Sequence, residues 1–237
     1  MFGVKTEHGG LDNMTARTHR AFAVSWAFVG AMILYTSGLM TVNYWLSAFI
    51  MLQVSKVGGL FPDVDHDWSN VKDKTLPNFL INKIIHISNG KHRSWQTHSI
   101  DICLLFVILT FIGPNMLMGW NIISATDVTL LALIMCGFSL GWLSHIFADM
   151  LTSAGVRVLC WKTKKIALVP RKFLWIEMKT GDDWEEFVYK ITRISNIVIG
   201  VMCFVYPFIV KVEAYDKYTK AITDISNTLG RVADLMR

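Results

Sequence analysis

Five apolar blocks constrain this chain more than any other feature of its sequence. They run over 21–36, 42–60, 99–119, 128–150 and 194–212, each close to the roughly 20 residues a helix needs to cross the hydrocarbon core of a bilayer. A lipid-spanning segment must satisfy its backbone internally, which a helix does within itself. The expected fold is therefore all-α, a polytopic transmembrane helical bundle of about four to five spans. With 53% hydrophobic and 17% charged residues, the chain is too apolar for an ordinary soluble domain of this size. Arg17, His19 and Arg20 precede the first block like the start of a signal peptide, but no small-residue cleavage site follows, so that block is expected to be retained. Cys103, Cys136 and Cys203 lie inside apolar blocks and Cys160 is isolated. They read as small apolar residues rather than a disulfide framework.

The net charge of +5 does not point to nucleic acid, because Lys and Arg are sorted by loop rather than gathered in one aromatic-interleaved patch. Segment 61–98 carries Lys72, Lys74, Lys83, Lys91 and Arg93, and segment 151–193 is richer still. The turns 37–41 and 120–127 have no Lys or Arg. By the positive-inside rule the N-terminus and both long loops are expected in the cytoplasm.

That topology places every unusual polar cluster on one face. His19 precedes the first span. The second ends in LFPDVDHDW, which supplies Asp63, Asp65, His66 and Asp67; the third is entered through KHRSWQTHS, with His92, Arg93, Thr97, His98 and Ser99. The fourth ends in GWLSHIFADM, where His145 and Asp149 are four apart and share one side of a helix. Start, end, start and end of successive spans coincide in an up-down bundle. Imidazole and carboxylate are ligands of zinc and related divalent ions, and ionisable residues at a membrane span are functional by default. More than four such groups would suit one or more ions.

Each piece also has a bland reading. His19 alone could contact headgroups. FPDVDHDW could be a polar turn, since Pro62 cannot continue a helix interior and Asp favours turns. His92 and His98 are too far apart for one helical turn, and Thr97 or Ser99 could cap the third helix. Arg93 could be a surface charge, although beside a metal cluster it suits bidentate grip of a phosphate.

As a set, His19, PDVDH at 62–66, HRSWQTHS at 92–99 and SHIFADMLTSAGV at 144–156 resemble the YdjM-like membrane-bound metal-dependent hydrolases, also described as LexA-regulated inner-membrane hydrolases. The resemblance covers roughly residues 14 to 200. It implies a multi-pass protein of the bacterial inner (cytoplasmic) membrane, a link to the DNA-damage response, and metal ligands at His19, Asp63, Asp65 or His66, His92, His98, His145 and Asp149. A Thr-Gly followed by Glu after the fourth span matches KTGDDWEEF here, with Glu185 the best match and Glu186 its rival. Ser94-Trp95-Gln96 stand where the family more usually has a glycine and an aromatic.

The expected activity is hydrolysis of a phosphoester in a lipid or lipid-linked substrate by metal-activated water, with zinc the first choice and Mn or Mg alternatives. Arg93 would hold the phosphate, and Glu185 or Asp67 would be the general base. A non-catalytic scaffold with a structural metal is the main alternative. An ion transporter fits less well, since the polar residues collect at span ends rather than mid-membrane. Segment 76–88 has an apolar side at helical spacing and suits an interfacial helix or one packed on the bundle. The expected organisation is an N-terminal cytoplasmic segment 1–20, a membrane domain 21–212 and a C-terminal amphipathic helix 213–237. Within that helix Tyr215, Tyr218, Ile222, Ile225, Leu229, Val232 and Met236 follow coiled-coil spacing, which suits homo-oligomerisation.

Overall fold

Helix boundaries in this chain follow from side chains that satisfy the first free backbone N–H groups. Asn43 opens the second helix by accepting from the amides of Trp45 and Leu46 through Oδ1. Ser124 and Asp127 form a reciprocal capping box, so a long helix starts at Ala125, upstream of the apolar block at 128. The computed structural model describes residues 16–40, 43–65, 95–152, 155–162, 164–168, 172–173, 176–177 and 183–210. Its elements are α1 (Ala16–Thr36), α2 (Tyr44–Gly58), a 3-10 turn (Pro62–Asp65), the single turn α3 (Trp95–His98), α4 (Ile100–Gly119), α5 (Ala125–Met150), β1 (Lys172–Phe173), β2 (Ile176–Glu177) and α6 (Asp183–Ile209). The two strands form a minimal antiparallel ladder, Lys172 opposite Glu177. The fold is all-α in its architecture, as expected. The proposed helices at 76–88 and 213–237 lie outside the described residues.

One helix boundary departs clearly from the sequence expectation. The last helix begins at Asp183 rather than 194, so the polar run DWEEFVYKITR is helix, not loop. Its acidic first turn complements the helix dipole, and Val188 and Thr192 are buried against the bundle. Among the described residues three helices, α4, α5 and α6, are long and apolar enough to cross a membrane, out of about four to five expected spans. The reason is physical: α2 has 15 residues, a rise of about 22 Å against a core of about 30 Å, and α1 opens with Arg17, His19 and Arg20. On α4 the side chains Leu104, Leu105, Ile108, Leu109 and Ile112 are exposed, as are Ile194, Ile197, Val201 and Phe208 on α6. Continuous apolar faces of this kind are suited to lipid.

Helix α5 is the centre of the bundle, packed against α1, α2 and α4, while α6 packs on α1. Its contact with α2 is backbone on backbone. A Cβ at Gly141 would overlap the Ser55 carbonyl oxygen, and one at Gly58 would overlap that of Phe138. Small residues allow such approach between helices in a membrane, where van der Waals packing drives association. Ser55 closes the third side by donating from Oγ to the Ala23 carbonyl of α1 at 2.8 Å. Lower in the same bundle, Ala31, Tyr44, Ala48, Met51, Leu133 and Cys203 form one core cluster, and Cys103, Trp142, Ile146 and Val156 another.

Candidate metal centre

The close α2–α5 contact brings the carbonyl of Gly59, just past the end of α2, to the His145 ring one turn beyond Gly141. His145 Nδ1 lies 2.8 Å from Gly59 O, so Nδ1–H donates there and the tautomer is set with the Nε2 lone pair pointing away. That lone pair points at acid. His145 Nε2 is 3.6 Å from Asp63 Oδ1 and 3.6 Å from Asp149 Oδ2.

Asp63 reaches this place because Pro62 turns the chain into the 3-10 segment immediately after α2. Asp149 shares a helix face with His145, as the four-residue spacing requires. His98 comes from α3, which packs on the 3-10 turn. Its Nδ1 lies 2.8 Å from Thr97 Oγ1, and its Nε2 is 3.4 Å from Asp149 Oδ2. Trp142 Nε1 donates to the Thr97 carbonyl at 2.6 Å, which ties the α3 turn to α5. Phe61, Phe106 and Phe138 surround the Trp142 ring and form the floor. His19, in the first turn of α1, stacks on His145 with ring centroids 3.6 Å apart, and its Nε2 is 3.7 Å from Asp149 Oδ1.

Five of the candidate ligands, His19, Asp63, His98, His145 and Asp149, therefore meet from α1, the 3-10 turn, α3 and α5. His19, His98, His145 and Asp149 are almost wholly buried, while the Asp63 side chain keeps 17% of its exposure. The donor atoms fall into two sets within 4.8 Å, His19 with Asp63 and His145, and His98 with His145 and Asp149. The arrangement fits a metal by a chemical test. His145 Nε2 is buried and makes no hydrogen bond, and at 3.6 Å its carboxylate neighbours are beyond the usual 2.7–3.2 Å range. An imidazole nitrogen facing two carboxylates at this spacing is an arrangement that could hold a divalent cation. Donors held roughly 2.0–2.2 Å from a tetrahedral ion lie roughly 3.3–3.6 Å from one another, close to the spacings found.

The acidic run at the start of α6 separates cleanly. Glu185 is buried and its Oε1 accepts from Thr18 Oγ1 at 2.7 Å, next in sequence to His19. Glu186 faces outward and pairs with Arg17 at 2.6 Å. Of the rivals, Glu185 is the one joined to the centre, through Thr18. His66, Asp67, His92 and Arg93 lie outside the described residues, as does the side chain of Asp65. Ser99 takes the N-cap position of α4 without capping it; its hydroxyl donates back to the Trp95 carbonyl at 2.5 Å. Thr97 likewise does not cap that helix but contacts the His98 ring. Sequence reasoning passed over Gly59, Ser55, Thr18 and Trp142. For Gly59 the available signal was a glycine just past the end of α2, and for Gly141 a glycine one turn before His145 inside α5.

The family model described as YdjM inner membrane protein matches residues 14–216. The inner membrane protein YdjM of Escherichia coli (strain K12) is 32% identical over 178 residues, covering 74% of this chain and 77% of that protein. Its counterpart from Shigella flexneri matches to the same extent. No solved structure matches the chain. All five described ligands and Glu185 fall inside the matched region, and the chain belongs to the YdjM inner membrane protein family.

Proposed function

We propose that this protein is a metal-dependent hydrolase acting at the cytoplasmic face of the bacterial inner membrane on a phosphoester of a lipid or lipid-linked substrate. The observation that carries the proposal is the buried His145 Nε2, without a hydrogen bond and 3.6 Å from two carboxylate oxygens. Zinc suits the His and Asp donor set, with Mn or Mg as alternatives. Such an ion supplies Lewis acidity and makes water nucleophilic near neutral pH.

The residues around it have separate tasks. Gly59 and Thr97 hold the rings of His145 and His98 by their Nδ1 atoms, leaving each Nε2 for the ion. Asp63, the partly exposed donor, marks the side from which substrate arrives. Glu185 is a positioning residue that fixes Thr18 and with it the first turn of α1. Arg93 is assigned the substrate phosphate and Asp67 the proton of the attacking water, both from their places in the sequence beside the ligands. The cytoplasmic face is favoured by charge: Arg17, Arg20, Lys56, Arg157 and Lys162 stand at the ligand-bearing end, and the turn after α4 has no Lys or Arg. A lipid headgroup is favoured because the centre lies at the ends of helices whose outer faces are apolar.

The test is to purify the protein in detergent, measure bound metals by mass spectrometry, and screen phosphodiesters and bacterial lipid extracts with wild type and His145→Ala. Stoichiometric metal and phosphoester turnover, both lost in His145→Ala, are expected; wild type without metal would overturn the proposal. The near-complete burial of four donors favours a second reading, a scaffold with a structural ion. Cobalt substitution separates the two. An open coordination position gives a visible spectrum that shifts with added phosphate, whereas a closed structural site gives one that does not.

A further inference from the structure

The two oxygens of Asp149 face different imidazoles. Oδ1 is 3.7 Å from His19 Nε2, while Oδ2 is 3.4 Å from His98 Nε2 and 3.6 Å from His145 Nε2. His145 belongs to both donor sets, yet its Nδ1 is committed to Gly59 and its Nε2 has one lone pair, so it can serve one ion. One division uses every donor atom once. His98, His145 and Asp149 Oδ2 form one triad; His19, Asp63 and Asp149 Oδ1 form the other.

We propose that the centre holds two divalent ions bridged by the Asp149 carboxylate, a conclusion that rests on the metal-dependent reading above. Paired ions in hydrolytic sites lie roughly 3.5–4 Å apart, and the stacked His19 and His145 rings, 3.6 Å between centroids, have donor atoms within 4.8 Å of each other. Each triad leaves coordination positions for oxygen. A phosphoryl group spanning both ions is a ligand that such a pair accepts, in keeping with a phosphate monoester or diester as the substrate.

The experiment uses the full-length protein in detergent, loaded with Mn²⁺ alone, desalted, and measured by metal analysis and electron paramagnetic resonance. Two equivalents per chain and an exchange-coupled spectrum are expected for wild type. His19→Ala and His98→Ala are each expected to keep one equivalent with the six-line spectrum of an isolated ion, and Asp149→Ala to lose the coupling. One equivalent with an uncoupled spectrum in wild type overturns the two-ion proposal and leaves the metal-dependent hydrolase standing. No bound metal overturns both. The wild-type spectrum decides the matter even if a variant fails to fold, which circular dichroism and size exclusion report.

Discussion

The two ends of this bundle use polar side chains in opposite ways. At the end away from the centre, aromatic and hydroxyl groups close structural bonds: Tyr44 OH donates to the Cys203 carbonyl at 2.9 Å, Trp45 Nε1 to that of Phe204 at 3.3 Å, and Thr36 meets Tyr206 at 2.7 Å. These are rings and hydroxyls at helix ends, as is usual for a membrane interface. At the other end His19, His98, His145 and Asp149 are buried at separations too long for hydrogen bonds to one another. Burying so many ionisable groups is costly for a fold that needed only stability, and His145 Nε2 makes no hydrogen bond at all. The contrast teaches that one end spends its polar groups on joining helices, while the other gathers groups that could hold a metal ion.

Breaking the framework should have the largest effect. Gly141→Leu drives a side chain into the Ser55 carbonyl and is expected to cost about 3 kcal/mol or more, with loss of both folded bundle and bound metal. Gly119→Leu, where a Cβ meets open space, should change stability by no more than about 0.5 kcal/mol. Thermal melts in detergent with metal analysis compare the two.

Removing the ion tests the ligand end alone. With free ion about a thousandfold above its dissociation constant, chelation should lower stability by about 4 kcal/mol. His145→Ala should melt at one temperature with or without chelator. Next in size is the support around the donors. Thr97→Val deletes the hydroxyl at His98 Nδ1 but keeps the carbonyl that Trp142 uses, so metal affinity should fall by about 10–100-fold with little change in the melt of the metal-free protein. At the opposite end Tyr44→Phe should cost about 1 kcal/mol and leave metal affinity untouched. Equal loss of metal affinity in both variants would erase the contrast between the ends. Arg17→Ala at the exposed pair with Glu186 should also cost little, less than about 1 kcal/mol.

Much of this was legible in the residues. The apolar blocks located the helices, and the alternation of start and end placed His19, Asp63, His98, His145 and Asp149 together without any distance being known. The legible part is what hydrophobic length and charge sorting control. Helix ends were less legible. The run from Asp183 to Arg193 reads as loop because its charges hide a narrower buried stripe of Glu185, Val188 and Thr192. The shortfall of α2 was also hidden, since apolar flanks lengthen the block without lengthening the helix. The supports of the centre were least legible of all. Gly59 acts through a carbonyl that every residue possesses, and only the approach of α5 in space singles it out.

The donors of the centre are spread from His19 to Asp149, on segments made at different times. During synthesis His19 and Asp63 emerge long before α5, and neither set of three donors is complete without His145 or Asp149. The contact at Gly141 that seats α5 on α2 is therefore also the step that completes the site. Under the proposed function, ion capture would then be a checkpoint in biogenesis: a chain whose fifth helix has not been inserted and docked lacks the donors of both sets.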